Sequence, residues 1–284
     1  MSITDSSTRS IQISGGSRQV TFTAPNRFSV KLPASGFRTG RDECALKSLT
    51  VYYSWPNISA AMGNNQLPYI WEGTVYSVVL ADGIWNYSDL QAYLELVMLQ
   101  NGHYLVDAGG VNQFYIQLVA NPVLYALSLT VRPVPTSLPV GWTNPAALAL
   151  TGNTPQLRIL PVMTTLTGFT AGNYPAASQT SIYQVNSGIP QITGVTALNV
   201  TSTLVTGSGL SLYPNVLASF VVPSDQLPGS LIQVQPNNLD WVPVQKMSTF
   251  TEVEVAIVDQ LHRPVVIRDP AGFAAIINVR KVPQ

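Results

Sequence analysis

Two histidines, His103 and His262, are all the imidazole this chain has, so acid–base or metal chemistry must centre on one of them or on carboxylates alone. Asp259, His262 and Asp269 fall in one stretch, DQLHRPVVIRD, from which a mixed oxygen–nitrogen metal site can be drawn. The same stretch reads better as strand, turn and strand, with the two aspartates bracketing the bend. Glu252 and Glu254 are two residues apart in an alternating run and so share one strand face. A glycosidase needs its carboxyl groups opposed across a cleft; a same-face pair suits a solvated edge or a subunit contact instead. Gly207-Ser208-Gly209 lacks the strand-to-helix setting that presents a hydrolase nucleophile, and Leu212-Tyr213-Pro214 just after it indicates a loop. Neither a phosphate-binding loop nor a dinucleotide fingerprint occurs. Cys44 is the single cysteine, which excludes an intrachain disulfide and a cysteine-based metal site; it reads as a small buried thiol. The expectation is a protein that is not an enzyme and holds no cofactor or metal.

What remains is binding. Trp55, Trp71, Trp85, Trp142 and Trp241 are spread over turns and strand ends. Indoles so placed suit burial between subunits, where Trp and Tyr are enriched, or stacking on sugar rings. With Asn57 of the turn Trp55-Pro56-Asn57 they form the candidate interface set. Asn57-Ile58-Ser59, Asn86-Tyr87-Ser88 and Asn199-Val200-Thr201 match the glycan-acceptor pattern, which chance explains in a chain so rich in Asn, Ser and Thr.

The elements that must carry these residues are mostly strands. Leu46, Leu49, Val51 and Tyr53 lead to Pro56, which lacks a ladder donor and ends the run. Val75, Val78, Val79 and Leu80 form a second apolar run, closed by Asp82-Gly83. The period then changes to about 3.6, with Leu90, Leu94, Val97 and Met98 on one helical face. Ser88 with Gln91 predicts a capping box, and Asn101-Gly102 a left-handed stop. Phe114 to Leu118 and Tyr125 to Val131 alternate on either side of Asn121-Pro122, the pattern of a hairpin. Short β-branched runs punctuated by Pro and Gly continue from Val195 to Val279, which indicates a sandwich or barrel. Residues 1–18, rich in Ser and Thr, read as a flexible arm ahead of one domain over 19–284, with elaborated loops around 132–190.

Charge is the anomaly. Only 10% of the 284 residues are charged and the net charge is zero, against roughly 25% charged in an ordinary soluble domain. Copies of such a chain repel one another little, which favours self-association. Arg9, Arg18, Arg27, Lys31, Arg38, Arg41 and Lys47 make the N-terminal region mildly basic, enough for weak, non-specific contact of the arm with nucleic acid. The polar N-terminus has no signal-peptide core and no apolar run is long enough to span a membrane, so synthesis and assembly in a cytoplasm or nucleus are expected.

The serial order of several segments carries a resemblance: Trp55-Pro56-Asn57-Ile58-Ser59, Asn64-Asn65, the 82–105 stretch DGIWNYSDLQAYLELVMLQNGHYL, LTGF at 166–169, VDQLHRPVVIRDP at 258–270 and the final FAAIINVRK strand. From about residue 41 onward the chain resembles the single jelly-roll minor capsid (penton) proteins of virophages and Polinton-like viruses. The resemblance implies an all-β fold, a single jelly-roll β-sandwich with one short helix and long loop insertions. It further implies a pentameric vertex subunit of an icosahedral virion, partnered by copies of itself and by a separate major capsid protein. In such a ring Arg9 and Arg18 of the arm would face inward. The alternative is a carbohydrate-binding β-sandwich, a receptor-binding surface protein with exposed Trp and Tyr.

Overall fold

The computed structural model describes residues 8–15, 20–32, 37–38, 42–205, 215–223, 226–244 and 249–282. Arg18 and Gly207-Ser208-Gly209 lie outside the described residues. The chain enters as β1 (Arg9–Ser14), β2 (Val20–Ala24), β3 (Arg27–Lys31), β4 (Phe37–Arg38) and the long β5 (Asp42–Tyr52). A middle set follows: β6 (Tyr69–Trp71), β7 (Thr74–Tyr76), α1 (Tyr87–Gln100), β8 (Leu105–Val106), β9 (Asn112–Gln113), β10 (Ile116–Asn121) and β11 (Ala126–Val131). It continues through β12 (Gln156–Ile159), the single turn α2 (Thr164–Thr167), β13 (Gly172–Tyr174) and β14 (Tyr183–Asn186). The chain closes with β15 (Ala197–Ser202), β16 (Val216–Val221), β17 (Leu231–Val234), β18 (Val242–Pro243), β19 (Thr249–Phe250), β20 (Glu252–Asp259) and β21 (Ala274–Lys281).

These elements form two compact units, Met1–Trp55 with Val195–Gln284, and Pro56–Gly194. Where the sequence suggests one domain over 19–284 with loops elaborated around 132–190, the insertion is a second unit with its own core. In the first unit one sheet runs β1-β21-β5-β17 and the other β16-β15-β20-β3, with β2 added outside β3 and every pairing antiparallel. Taken in chain order, the eight framework strands pair across the sequence, first with eighth and third with sixth in one sheet, second with seventh and fourth with fifth in the other. That is the strand order of a jelly roll. The inward faces follow the period of two: Val253, Val255 and Ile257 of β20 are buried, and so are Ala275, Ile277 and Val279 of β21. Phe28 and Phe273 stack between the sheets, ring centroids 3.6 Å apart.

The N-terminal segment is not wholly a loose arm. Residues 9–14 pair antiparallel with β21, and Ile13 is fully buried in the core. Ser, Gln and Arg dominate RSIQIS, but Ile11 and Ile13 alternate, and that is enough for an edge strand with one buried side chain.

The second unit holds the sheets β13-β12-β6-β7 and β10-β11-β14. The hairpin β10–β11 forms where alternation places it, its turn organised by Asn121 Oδ1 accepting from Leu124 N at 3.2 Å. The second apolar run is only partly strand: β7 stops at Tyr76, after which Leu67 N donates to Val78 O and Val78 and Leu80 turn inward. Residues 170–190 are not all loop, since β13 and β14 lie there; residues 132–155 hold no named strand. Helix α1 buries Leu90, Leu94 and Met98 and ends at Asn101, with Gly102 at φ 75°. Its capping box is two residues earlier than Ser88 and Gln91 suggest. Asn86 Oδ1 accepts from Asp89 N, and Asp89 reaches back to Asn86 N. Gln91 instead serves the edge of β10, its amide accepting from Leu118 N at 2.7 Å and donating to Ile116 O at 3.2 Å. A side-chain amide there imitates a neighbouring strand.

Candidate functional site

The carboxylates that could have done chemistry are committed to structure. Glu254 pairs with Arg27 at 3.0 Å across β20 and β3, and Glu252 accepts from Ser29 Oγ on the same face. Asp259 is buried at the end of β20 and accepts from Leu261 N, Arg263 N and Arg263 Nε at 2.7–2.8 Å. It clasps the turn in which His262 adopts φ 58°, while Asp269 caps a short helical turn through Ala271 N. The stretch bends after Asp259, but the second strand expected there is reduced to a single bridge between Val258 and Pro264, and the two aspartates hold separate turns rather than bracketing one. Among the described residues no cluster of three His, Cys, Asp or Glu is arranged to hold a metal. Cys44 is fully buried, and burial pushes its thiol up to about 12, far from a reactive thiolate. Asn199, a nominal glycan acceptor, is buried and held by Asp259 O and Ser219 Oγ.

The candidate interface residues divide into internal and partly exposed groups. Trp55 packs in the first core with 3% of its surface exposed, and Trp71 in the second with 4%. Neither can meet another copy. Asn57 is an internal clasp: its Nδ2 donates to Trp85 O and Ile192 O at 2.7 and 2.9 Å, and its Oδ1 accepts from Trp85 N at 2.8 Å. A saturated amide of this kind pins the turn it sits in. Trp85 and Trp142 are half-buried against the second core. Trp241 is half-buried, with the Arg280 guanidinium 4.0 Å above its ring and bonded to Glu43. Arg9 is exposed at the start of β1. Proline and turn signals near tryptophan said nothing about which indoles would be covered; only the alternation of Leu49, Val51 and Tyr53 ahead of Trp55 bore on it.

Sequence reasoning missed a polar cluster inside the second unit. Asn101 Nδ2 donates to Tyr69 Oη at 3.1 Å, and Tyr69 Oη lies 2.9 Å from His103 Nδ1. With Tyr69 as donor, the imidazole proton sits on Nε2. Trp71 stacks on His103 with centroids 4.3 Å apart and planes 4° from parallel, and Tyr76 meets the ring edge-on. Burial among these rings lowers the His103 pKa from 6.5 to about 4, so the imidazole is neutral. Asn101-Gly102-His103 was legible only as a helix stop.

The outer surfaces carry unusual apolar exposure. In the jelly roll, Val221 at the end of β16, Leu227, and Leu231 at the start of β17 are 74%, 73% and 39% exposed within ten residues of chain. In the second unit the hairpin tip Val123-Leu124-Tyr125 is exposed at every position. Apolar edges on a charge-poor surface are a feature of contact surfaces between chains. Among the described residues no helix is long and apolar enough to cross a membrane.

The strand order defines an all-β protein built on one jelly-roll sandwich with an inserted second unit. Among solved structures the chain is similar to the selenomethionine-labelled penton protein of mavirus, with 10% identity, 96% of this chain and 98% of that chain covered, and a TM-score of 0.48. No family model and no curated protein matches the sequence.

Proposed function

We propose that the chain is a structural viral capsid protein, a vertex (penton) subunit of an icosahedral virion. In this reading it assembles as a homopentamer beside a separate major capsid protein, and works by assembly rather than catalysis. One observation carries the reading: the apolar edge of Val221, Leu227 and Leu231 on the jelly roll of a chain that as a whole is only 10% charged. Closed rings of identical subunits need a repeated lateral contact with little electrostatic penalty, and this edge offers one. The serial resemblance from Trp55 to the final strand supports the same reading. So does the use of Glu254, Asp259 and Glu43 as partners of Arg27, Arg263 and Arg280. Exposed Arg9 leaves room for weak contact with a genome.

Light scattering on the purified protein tests this. A mass near five subunits is the expected result, falling to one subunit in a Val221→Lys, Leu227→Lys double variant with unchanged thermal stability. A wild-type protein that stays monomeric at high concentration, alone and with its major capsid protein, would overturn it.

A further inference from the structure

A closed ring of identical subunits needs two different surfaces, one on each side of every copy. The edge of Val221, Leu227 and Leu231 supplies one. The opposite side of the jelly roll ends in β2, the fifth strand of the sheet β16-β15-β20-β3-β2. The facing sheet ends at β1, which packs over β3, so β2 is the outermost strand on this side. Val20 and Phe22 stand in register with buried Val30 and Phe28 and share their core-facing side. A row of rings, Phe273, Phe28 and Phe22, therefore runs from the core to solvent: the first two are fully buried and Phe22 is 43% exposed.

Both outer strands of this sheet are open to strand addition. Val20–Ala24 and Val216–Val221 are five and six residues long and contain no charge and no proline, the features with which edge strands block pairing. Beside β16, Leu227 is held outward. Ser230 N donates to Leu227 O at 3.0 Å across a turn centred on Pro228 and Gly229, and Gly229 N donates to Tyr53 O at 2.8 Å. Gly229, at φ 80°, supplies the left-handed residue that such a turn requires. Every pairing in the sheet is antiparallel, so its first and fifth strands run the same way. A rotation about an axis along the strands keeps that direction and sets β2 of one copy parallel to β16 of the next. A two-fold axis would instead pair like edges antiparallel and close a dimer.

We infer that β2 of each copy docks on the β16–β17 edge of a second copy, extending the sheet from subunit to subunit, with Phe22 covered by Leu227 and Leu231 of the partner subunit. The two edges answer each other within one chain: an uncharged strand meets an uncharged strand of like length, and an uncovered ring meets exposed leucines. At zero net charge the copies approach with little repulsion. This pairing rests on the closed ring proposed above and supplies its second face.

Cysteine cross-linking of the full chain with a short bis-maleimide tests it. Thr23→Cys and Val221→Cys lie toward the C-terminal ends of their strands, which parallel pairing brings together. Within one copy they are four strand spacings apart, roughly 19 Å. Cys44 is fully buried and out of reach of the reagent. The chain carrying both cysteines is expected to give a ladder of linked subunits, and each single-cysteine chain none. Phe22→Lys should lower the mass of the assembly to that of one subunit while thermal melting shows the protein still folded. A wild type that stays monomeric, alone and with its major capsid protein, overturns the ring and this contact together. An assembled wild type overturns this contact alone if Phe22→Lys leaves its mass intact or if the chain with both cysteines does not link. Links formed by a single-cysteine chain would mean two-fold pairing of like edges and overturn it as well.

Discussion

His103 shows how one side chain ties packing to solution conditions. Its folded pKa, about 4, lies below the unfolded value of 6.5, so on acidification the unfolded chain takes up its proton first. Stability is full above about pH 6.5 and drains as pH falls toward 4. Between pH 7 and pH 5 the second unit should lose about 2 kcal/mol from this residue. Urea midpoints at the two pH values read the loss directly. His103→Phe should be less stable at pH 7, through the lost Tyr69 bond, but should have a flatter pH dependence; an unchanged slope would assign the effect elsewhere. Gly168 makes a second residue-scale case. At φ 73° it ends α2, and a Cβ there would lie 2.5 Å from Gly188 O. Gly168→Ala should therefore cost about 2–3 kcal/mol, left-handed strain plus a backbone clash, read as a lower urea midpoint. The LTGF stretch marked a turn in the sequence. The loop that closes on it from twenty residues away had no local signature.

At the scale of elements, β1 separates what alternation reveals from what composition hides. Ser, Thr and Gln around residues 1–18 outweigh three isoleucines, so the segment reads as an arm, yet Ile13 is buried between β21 and the core. Ile13→Ala should cost about 2–4 kcal/mol in denaturant titrations, as truncation of a buried core side chain does. A loose arm would give no change. Gln91 makes the complementary point. Its sequence role as a capping residue looked sound by spacing, but a partner strand 25 residues on competes for its amide. Gln91→Ala leaves the N–H of buried Leu118 unpaired and should cost about 1–3 kcal/mol, detectable as faster amide exchange at Leu118. By contrast, α1 and the β10–β11 hairpin were legible because their apolar periods are unbroken and their partners are local. The pairing of β5 with β21 joins residues more than two hundred positions apart, and no period encodes it.

At the scale of the whole molecule, the insertion changes what a single stability value can mean. The first core gathers Ile13, Phe28, Leu49, Val200, Ile257 and Phe273 among others, the second Leu67, Leu90, Leu127 and Leu157 among others, and no residue belongs to both. Turn and proline signals are as dense inside the jelly roll as at Pro56 and Gly194, so punctuation alone could not mark the boundary. Two cores with no shared side chain should melt as two cooperative units. Calorimetry on the wild type is expected to resolve two transitions, or one broad transition whose van't Hoff enthalpy falls well below the calorimetric value. The variants then assign them: Ile13→Ala lowers the transition of the jelly roll alone, and Gly168→Ala that of the inserted unit alone. Acidification from pH 7 to pH 5 should move the second further than His103→Phe allows. A single transition that follows both substitutions equally would mean that the two cores fold as one, and the insertion would then be part of the jelly roll's own stability rather than a unit carried by it.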